Sequence, residues 1–143
     1  MESLIHLLYV DDDQNDCLLL TSALEQMENP CVLHCEPTPA QALDWLIGKL
    51  GTDEFPHLVI SDGSLRSLGG SVRLIEQIRC RFPVLPILVF SGNPMQERVD
   101  GFYSAGANGF IYKGTGFDEF SRQLAGLIGY WTDLLILPSR PKA

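Results

Sequence analysis

The chain has 143 residues, 45% hydrophobic and 20% charged, which suits one packed domain and excludes both a disordered chain and a pair of full-sized domains. A formal net charge of -8 opposes nonspecific attachment to nucleic acid or to an anionic membrane surface, since both depend on clustered Lys and Arg, and leaves a protein or a cation as the expected partner. The apolar stretch 4–10 follows Glu2 rather than a basic leader and is too short for a signal peptide or a membrane span, so a cytoplasmic protein with no membrane insertion is expected.

Residues 5–10 form a continuous apolar run with a single His that stops at Asp11-Asp12-Asp13, as a buried strand ending in a polar loop does. Leu18, Leu19, Leu20, Ala23, Leu24 and Met27 then recur at helical spacing, with Asn15 or Asp16 as the expected N-cap and Asn29-Pro30 as the stop. A second strand over 32–35 is followed by Thr38-Pro39-Ala40-Gln41, a capping box with proline at the first helical position, opening a helix through Leu50. Leu58-Val59-Ile60 reads as a third buried strand, ending at Ser61-Asp62-Gly63. Gly69-Gly70 and Ser71 precede a helix with Val72, Leu74, Ile75 and Ile78 on its apolar side, closed by Phe82-Pro83.

Residues 87–90 are the fourth strand, delivering Ser91-Gly92. Pro94 can open a helix carrying Met95, Val99, Phe102 and Ala105 that ends at Gly106. Phe110-Ile111-Tyr112 is the fifth strand, ending at Lys113, and the last helix begins near Phe117 with Phe120, Leu124, Leu127, Ile128, Trp131 and Leu135 at intervals of three and four. Five strand-helix alternations with short connections require parallel strands and right-handed crossovers, hence a doubly wound α/β sheet with helices on both faces. The expected domain spans 1–137, with an extended C-terminal helix, and 138–143 is a tail.

Cys17, Cys31, Cys35 and Cys80 show no paired CxxC spacing, and a domain with this much apolar material needs no disulfide staple, so all four are expected as reduced thiols. Strand alternation turns His34 away from Cys31 and Cys35, which argues against zinc there. His6, His34 and His57 receive no role.

In an open parallel α/β sheet, the loops at the carboxyl ends of the strands line the ligand crevice. Those ends carry Asp11-Asp12, Asp62, Ser91 and Lys113. Each alone is an ordinary turn, cap or surface residue, but their coincidence at four strand ends is hard to reconcile with chance. Clustered carboxylates repel one another and raise their own pKa values unless a cation sits among them, and an all-oxygen set suits Mg2+ (or Mn2+). One carboxylate is then left to attack phosphorus, Lys113 supplies charge for a phosphate oxygen, and the Ser91 hydroxyl can donate to another.

These segments resemble the response-regulator receiver domains of two-component signalling over essentially the whole chain. The matching runs are Val10-Asp11-Asp12, Pro56-His57-Leu58-Val59-Ile60-Ser61-Asp62, Phe90-Ser91-Gly92, Ala105-Gly106-Ala107 and Phe110-Ile111-Tyr112-Lys113. The resemblance implies a flavodoxin-like five-stranded sheet of order 2-1-3-4-5, Asp62 as phosphoacceptor, Asp12 as a direct metal ligand and Asp11 as a second acid acting through water. It also implies the Ser64 backbone carbonyl as a metal ligand, Ser91 and Phe110 as a switch pair, and Lys113 as the phosphate-binding lysine. Two places depart from the pattern: Arg66 and Gly114 stand where proline is usual. A finer resemblance, to phytochrome-associated single-domain regulators, rests on Tyr130-Trp131-Thr132-Asp133-Leu134-Leu135-Ile136-Leu137-Pro138.

The function implied is a phosphorylation-dependent switch, not an enzyme beyond its own phosphoryl transfer and dephosphorylation. It would be charged by a sensor histidine kinase or phosphotransfer protein and is expected to act through protein contact, without an attached DNA-binding or catalytic domain. Alternatives are a receiver fragment of a larger sensor kinase or transcription factor, and a phosphotransferase using an aspartyl-phosphate on a small substrate. Against the latter, Gly63 and Ser64 stand where a general acid is needed after Asp62. The surplus of apolar residues in the C-terminal extension suggests a homodimer with Trp131, Leu134 and Leu135 in its interface.

Overall fold

The computed structural model describes residues 4–27, 31–65, 70–113, 116–131 and 136–142. In chain order they form β1 (Ile5–Val10), α1 (Gln14–Glu25), β2 (Cys31–Glu36), α2 (Pro39–Lys49), β3 (Leu58–Asp62), α3 (Gly70–Arg81), β4 (Ile87–Ser91), α4 (Gln96–Ala105), β5 (Gly109–Tyr112) and α5 (Phe117–Gly129). All pairings are parallel, and the sheet order is β2-β1-β3-β4-β5, the expected doubly wound arrangement.

Period-two alternation sends the side chains of each strand to two separate cores. Leu8, Val10, Val59, Ile87 and Val89 pack with Leu46 of α2, Leu74 and Ile78 of α3 and Phe102 of α4. Leu7, Tyr9, Leu58, Ile60, Leu88 and Phe90 pack on the opposite side with Leu20 and Leu24 of α1 and Phe120, Leu124 and Ile128 of α5. Because both faces are covered, β3 and β4 are buried along their whole length, which is why each opens as an apolar run before its polar end. The register sets Val10 opposite Ser61, Asp62 opposite Phe90 and Ser91 opposite Tyr112, so residues 11, 62, 91 and 113 leave the sheet at one edge.

Several boundaries differ from expectation. The N-cap of α1 is Asp13 rather than Asn15 or Asp16: its backbone is extended and its carboxylate accepts from the Asn15 N–H at 2.9 Å, which frees Asp16 for another partner. Pro94 lies before α4, whose cap residue is Met95 with no side-chain cap bond. Gly106 ends α4 where expected, as a left-handed cap at φ 117°. The α-helical part of α5 stops at Gly129, and Tyr130 and Trp131 continue in a wider π-type turn. Trp131 packs partly against the α1/α5 core, while Arg66, Gly114, Leu134 and Leu135 lie outside the described residues.

The expectation of four reduced thiols is corrected. Cys17 of α1 and Cys35 of β2 are joined by a disulfide, with Cα atoms 6.4 Å apart, and Cys31 and Cys80 are free. A search for local CxxC spacing cannot detect this pair, because it is brought together by the packing of a crossover helix on its own sheet. His34 faces the other side of β2, stacked on Trp45 at 4.1 Å and bonded to Glu36. Among the described residues no helix is long and apolar enough to cross a membrane.

Candidate functional site

At the carboxyl edge of the sheet Asp11, Asp12 and Asp62 each present an oxygen, all within 4.8 Å of one another. Asp11 and Asp62 are buried and Asp12 is exposed. The donor set is all oxygen and open on the Asp12 side, which fits a hard divalent cation that keeps part of its water.

The three carboxylates are not equivalent. Asp11 is already well bonded: the Tyr9 hydroxyl donates to Oδ2, the Asp13 N–H donates to Oδ1 at 2.9 Å, and Lys113 Nζ lies 3.3 Å from Oδ2. Tyr9 reaches it because residues two apart share a strand face, and burial, reinforced by Asp11, pushes its phenol far above the usual range, so it stays a neutral donor. For Asp62 the net displacement of the carboxyl is upward. Burial raises it most, Lys113 pulls it down, Asp11 raises it, the Ser64 backbone N–H lowers it and Asp12 raises it. An acid raised by burial and like charges is one that a cation would relieve.

Lys113 arrives from the end of β5, its backbone N–H bonded to the Ser91 carbonyl at 2.8 Å. Its Nζ stands 3.1 Å from Asp16, 3.3 Å from Asp11 and 3.6 Å from Asp62. Burial alone would lower its pKa, but Asp11, Asp62 and Asp16 outweigh burial and the net shift is upward, so the ammonium is charged. Ser91 is fully buried and its Oγ accepts from the Asn93 N–H at 3.1 Å, which leaves the hydroxyl proton available to donate.

The loop after Asp62 is pinned from three sides. Ser71 at the start of α3 donates to the Asp62 carbonyl at 2.7 Å and accepts from the Leu65 N–H at 3.0 Å. The Gly63 N–H donates to the Phe90 carbonyl at 2.8 Å, and a Cβ on Gly63 would come within 2.8 Å of the Ser91 Cβ. Arg98 of α4 donates to the Gly63 carbonyl at 2.6 Å. Phe110 is half-buried beside Phe102, with ring centroids 5.8 Å apart.

The sequence profile of the response regulator receiver domain matches residues 7–125. The chain belongs to this family. No curated protein matches it. Its fold is similar to that of a phosphorylated cyanobacterial phytochrome response regulator, RcpA (TM-score 0.83, 19% identity, 94% of this chain and 99% of that one). It is also similar to the Mn2+-bound response regulator Rcp1 (TM-score 0.80, 17% identity, 94% and 99%). A third likeness is to RPA3017, a response regulator in red light signalling of R. palustris (TM-score 0.80, 19% identity, 94% and 99%).

Within this receiver domain the structure brings Asp11, Asp12, Asp62 and Lys113 together as expected, with Ser91 buried at the adjoining strand end. It adds five residues that sequence reasoning missed: Tyr9, Asp16, Gly63, Ser71 and Arg98. Only Tyr9 and Gly63 left a readable signal, Tyr9 by standing two residues before Asp11 on one strand and Gly63 by directly following a carboxylate at a strand end.

Proposed function

We propose that this receiver domain is a phosphorylation switch of a two-component phosphorelay, taking a phosphoryl group onto Asp62 and signalling by protein contact. The observation that carries the reading is the convergence of three carboxylate oxygens within 4.8 Å beside a charged lysine 3.6 Å from Asp62. Asp12 and Asp62, with the Ser64 carbonyl, would hold Mg2+ (or Mn2+) directly. Asp11, whose oxygens are engaged by Tyr9, Asp13 and Lys113, would act through water. A bound divalent cation supplies neutralising charge for the transferring phosphoryl oxygens.

An Asp62 carboxylate oxygen attacks phosphorus as the P–N bond to the donor imidazole breaks; the bonding pair stays on that nitrogen, and the ring, protonated at its other nitrogen, leaves as neutral imidazole. The product is an acyl phosphate whose oxygens attract Lys113 away from the carboxylates it now faces. Ser91 then donates its free hydroxyl proton to another oxygen, and Phe110 turns into the space behind it. The donor is a sensor histidine kinase or a phosphotransfer protein, following the family. The Mn2+-bound Rcp1 and phosphorylated RcpA, which share this fold, support the cation and the modification.

Incubation with a small phosphodonor and Mg2+ tests the assignment. The parent should gain one phosphoryl mass and Asp62→Asn none, and chelation should stop the labelling. A labelled Asp62→Asn, or a rate indifferent to chelation, sinks the pocket.

We further propose that the chain forms a homodimer through the C-terminal segment, with Trp131, Leu134 and Leu135 in its interface. Tyr130 and Ile136, both exposed, flank that segment and add apolar surface. Sedimentation across a dilution series should show a dimer that truncation after Gly129 abolishes. A parent that stays monomeric at high micromolar concentration, with and without phosphoryl, removes the dimer.

A further inference from the structure

Arg98 lies in the first turn of α4, where the positive end of the helix dipole disfavours a cation. Its Nε is buried with no hydrogen-bond partner among the described residues, a second local cost. Such departures from local preference mark places where a side chain serves something other than its own helix. What Arg98 serves is visible: its guanidinium donates to the carbonyl of Gly63, the residue after Asp62, at 2.6 Å. The carbon of that guanidinium lies 5.9 Å from the centroid of the Phe102 ring, and Phe102 packs on Phe110.

Gly63 gives this contact its leverage. Its N–H is held by Phe90, and its missing side chain lets its backbone close on Ser91, where a Cβ would approach the Ser91 Oγ to 3.2 Å and Val89 to 3.2 Å. The Gly63 peptide therefore touches the hydroxyl strand on one side and Arg98 on the other. We propose that Arg98 is a positioning residue for phosphoryl transfer in this chain, tying the first turn of α4 to the peptide next to Asp62 so that the acceptor loop, Ser91 and Phe110 move as one unit. The inference rests on Asp62 being the phosphoacceptor. Arg98 touches neither donor nor metal in this role; it acts through Gly63.

The full chain, its Arg98→Met variant, which keeps stem length without charge, and Arg98→Lys, which restores a donor without the planar fork, are compared with a small phosphodonor and Mg2+. Loss of one charge-assisted hydrogen bond corresponds to about a tenfold fall in the maximal labelling rate of Arg98→Met, with the half-saturating donor concentration and the Mg2+ affinity within about twofold of the parent. Arg98→Lys recovers part of the rate. A merely structural role predicts the reverse pattern: a lowered Tm, unchanged maximal rate per folded molecule and no rescue by Lys, and that result overturns the proposal. A rise in half-saturating concentration at constant maximal rate also overturns it, since Arg98 would then be meeting the donor. If the parent is not labelled on Asp62, both this inference and the proposed function fall; if it is, and Arg98→Met matches it, this inference alone falls.

Discussion

Two partly buried cations stand at opposite ends of the sheet and are treated in opposite ways. At the amino end Arg79 spreads its donors over the carbonyls of Gly106, Phe82, Pro83 and Leu85 and the side chain of Asn108, all neutral acceptors, at 2.7 to 3.3 Å. At the carboxyl end Lys113 faces Asp11, Asp16 and Asp62, whose charge it cannot balance alone. The first arrangement is satisfied and closes loops. The second leaves net negative charge concentrated in a partly buried place, an arrangement that an added cation would relieve. The satisfied cation and the candidate site thus lie at opposite ends of the strands.

The largest expected effect comes from removing charge at the unbalanced end. Asp12→Ala takes away the exposed carboxylate of the three and should weaken Mg2+ binding by more than about a hundredfold, since even residues behind the ligands cost 10 to 100-fold when lost. Lys113→Ala should leave Mg2+ affinity intact or tighten it, because a competing cation has gone, while impairing the response to phosphorylation. A Mg2+ titration followed by intrinsic Trp fluorescence checks both, Trp45 and Trp131 being the two reporters. Equal affinity in parent and Asp12→Ala would end the contrast between the two cations.

A middling effect is expected where α1 is tied to β2. The Cys17–Cys35 bond closes a loop of sequence separation 18, and such closure stabilises by about 2 to 3 kcal/mol through the unfolded chain. Cys17→Ser should therefore unfold at lower denaturant than the oxidised parent, and excess reductant should bring the parent down to the variant. Thiol titration under denaturing conditions should count two free thiols before reduction and four after, from Cys31 and Cys80 alone and then with the pair. Four thiols in the untreated chain would return the molecule to the fully reduced form that its sequence suggested.

What the sequence exposed and what it hid have distinct physical causes. Strand identity, parallel order and the four strand ends of the candidate site were legible because both faces of the sheet are covered: most strands are dominated by apolar residues, and a polar or charged side chain follows each of these four runs within two residues. Hence Asp11, Asp62, Ser91 and Lys113 could be picked out singly. Tyr9 was passed over because an aromatic in an apolar run reads as core, which it is, although its place two residues before Asp11 on one strand signalled that its hydroxyl also serves Asp11. Asp16 was misread as a cap because Asp13 competes for the same helix end. The Cys17–Cys35 bond and the reach of Arg98 to Gly63 join residues 18 and 35 apart, and no local period reports such pairings.

The smallest effect belongs to the satisfied end, where pH can separate structure from function. The His57 Nδ1 accepts from the His6 N–H at 3.1 Å, a bond that only the neutral ring can accept, and burial first, then the charge of Arg140, then that of His6, lower its pKa to about 4. His6 is lowered as well, by burial and Arg140, with Glu54 and Asp53 opposing. Arg140 is held over this cluster by bonds to the carbonyls of Asp53 at 2.7 Å and Phe55 at 3.2 Å. A histidine that is neutral when folded but protonates in the unfolded chain contributes stability that is fully present above its ordinary value near 6.5 and is lost as pH falls toward about 4. Tm should therefore drop over that window, and the drop should be smaller in His57→Asn, whose side-chain oxygen replaces the accepting nitrogen without titrating. Since the ring is only half-buried, solvent screening keeps the difference to a few degrees. Phosphoryl uptake by folded His57→Asn at neutral pH should match the parent; an altered labelling rate would mean that the two ends of the sheet are coupled after all.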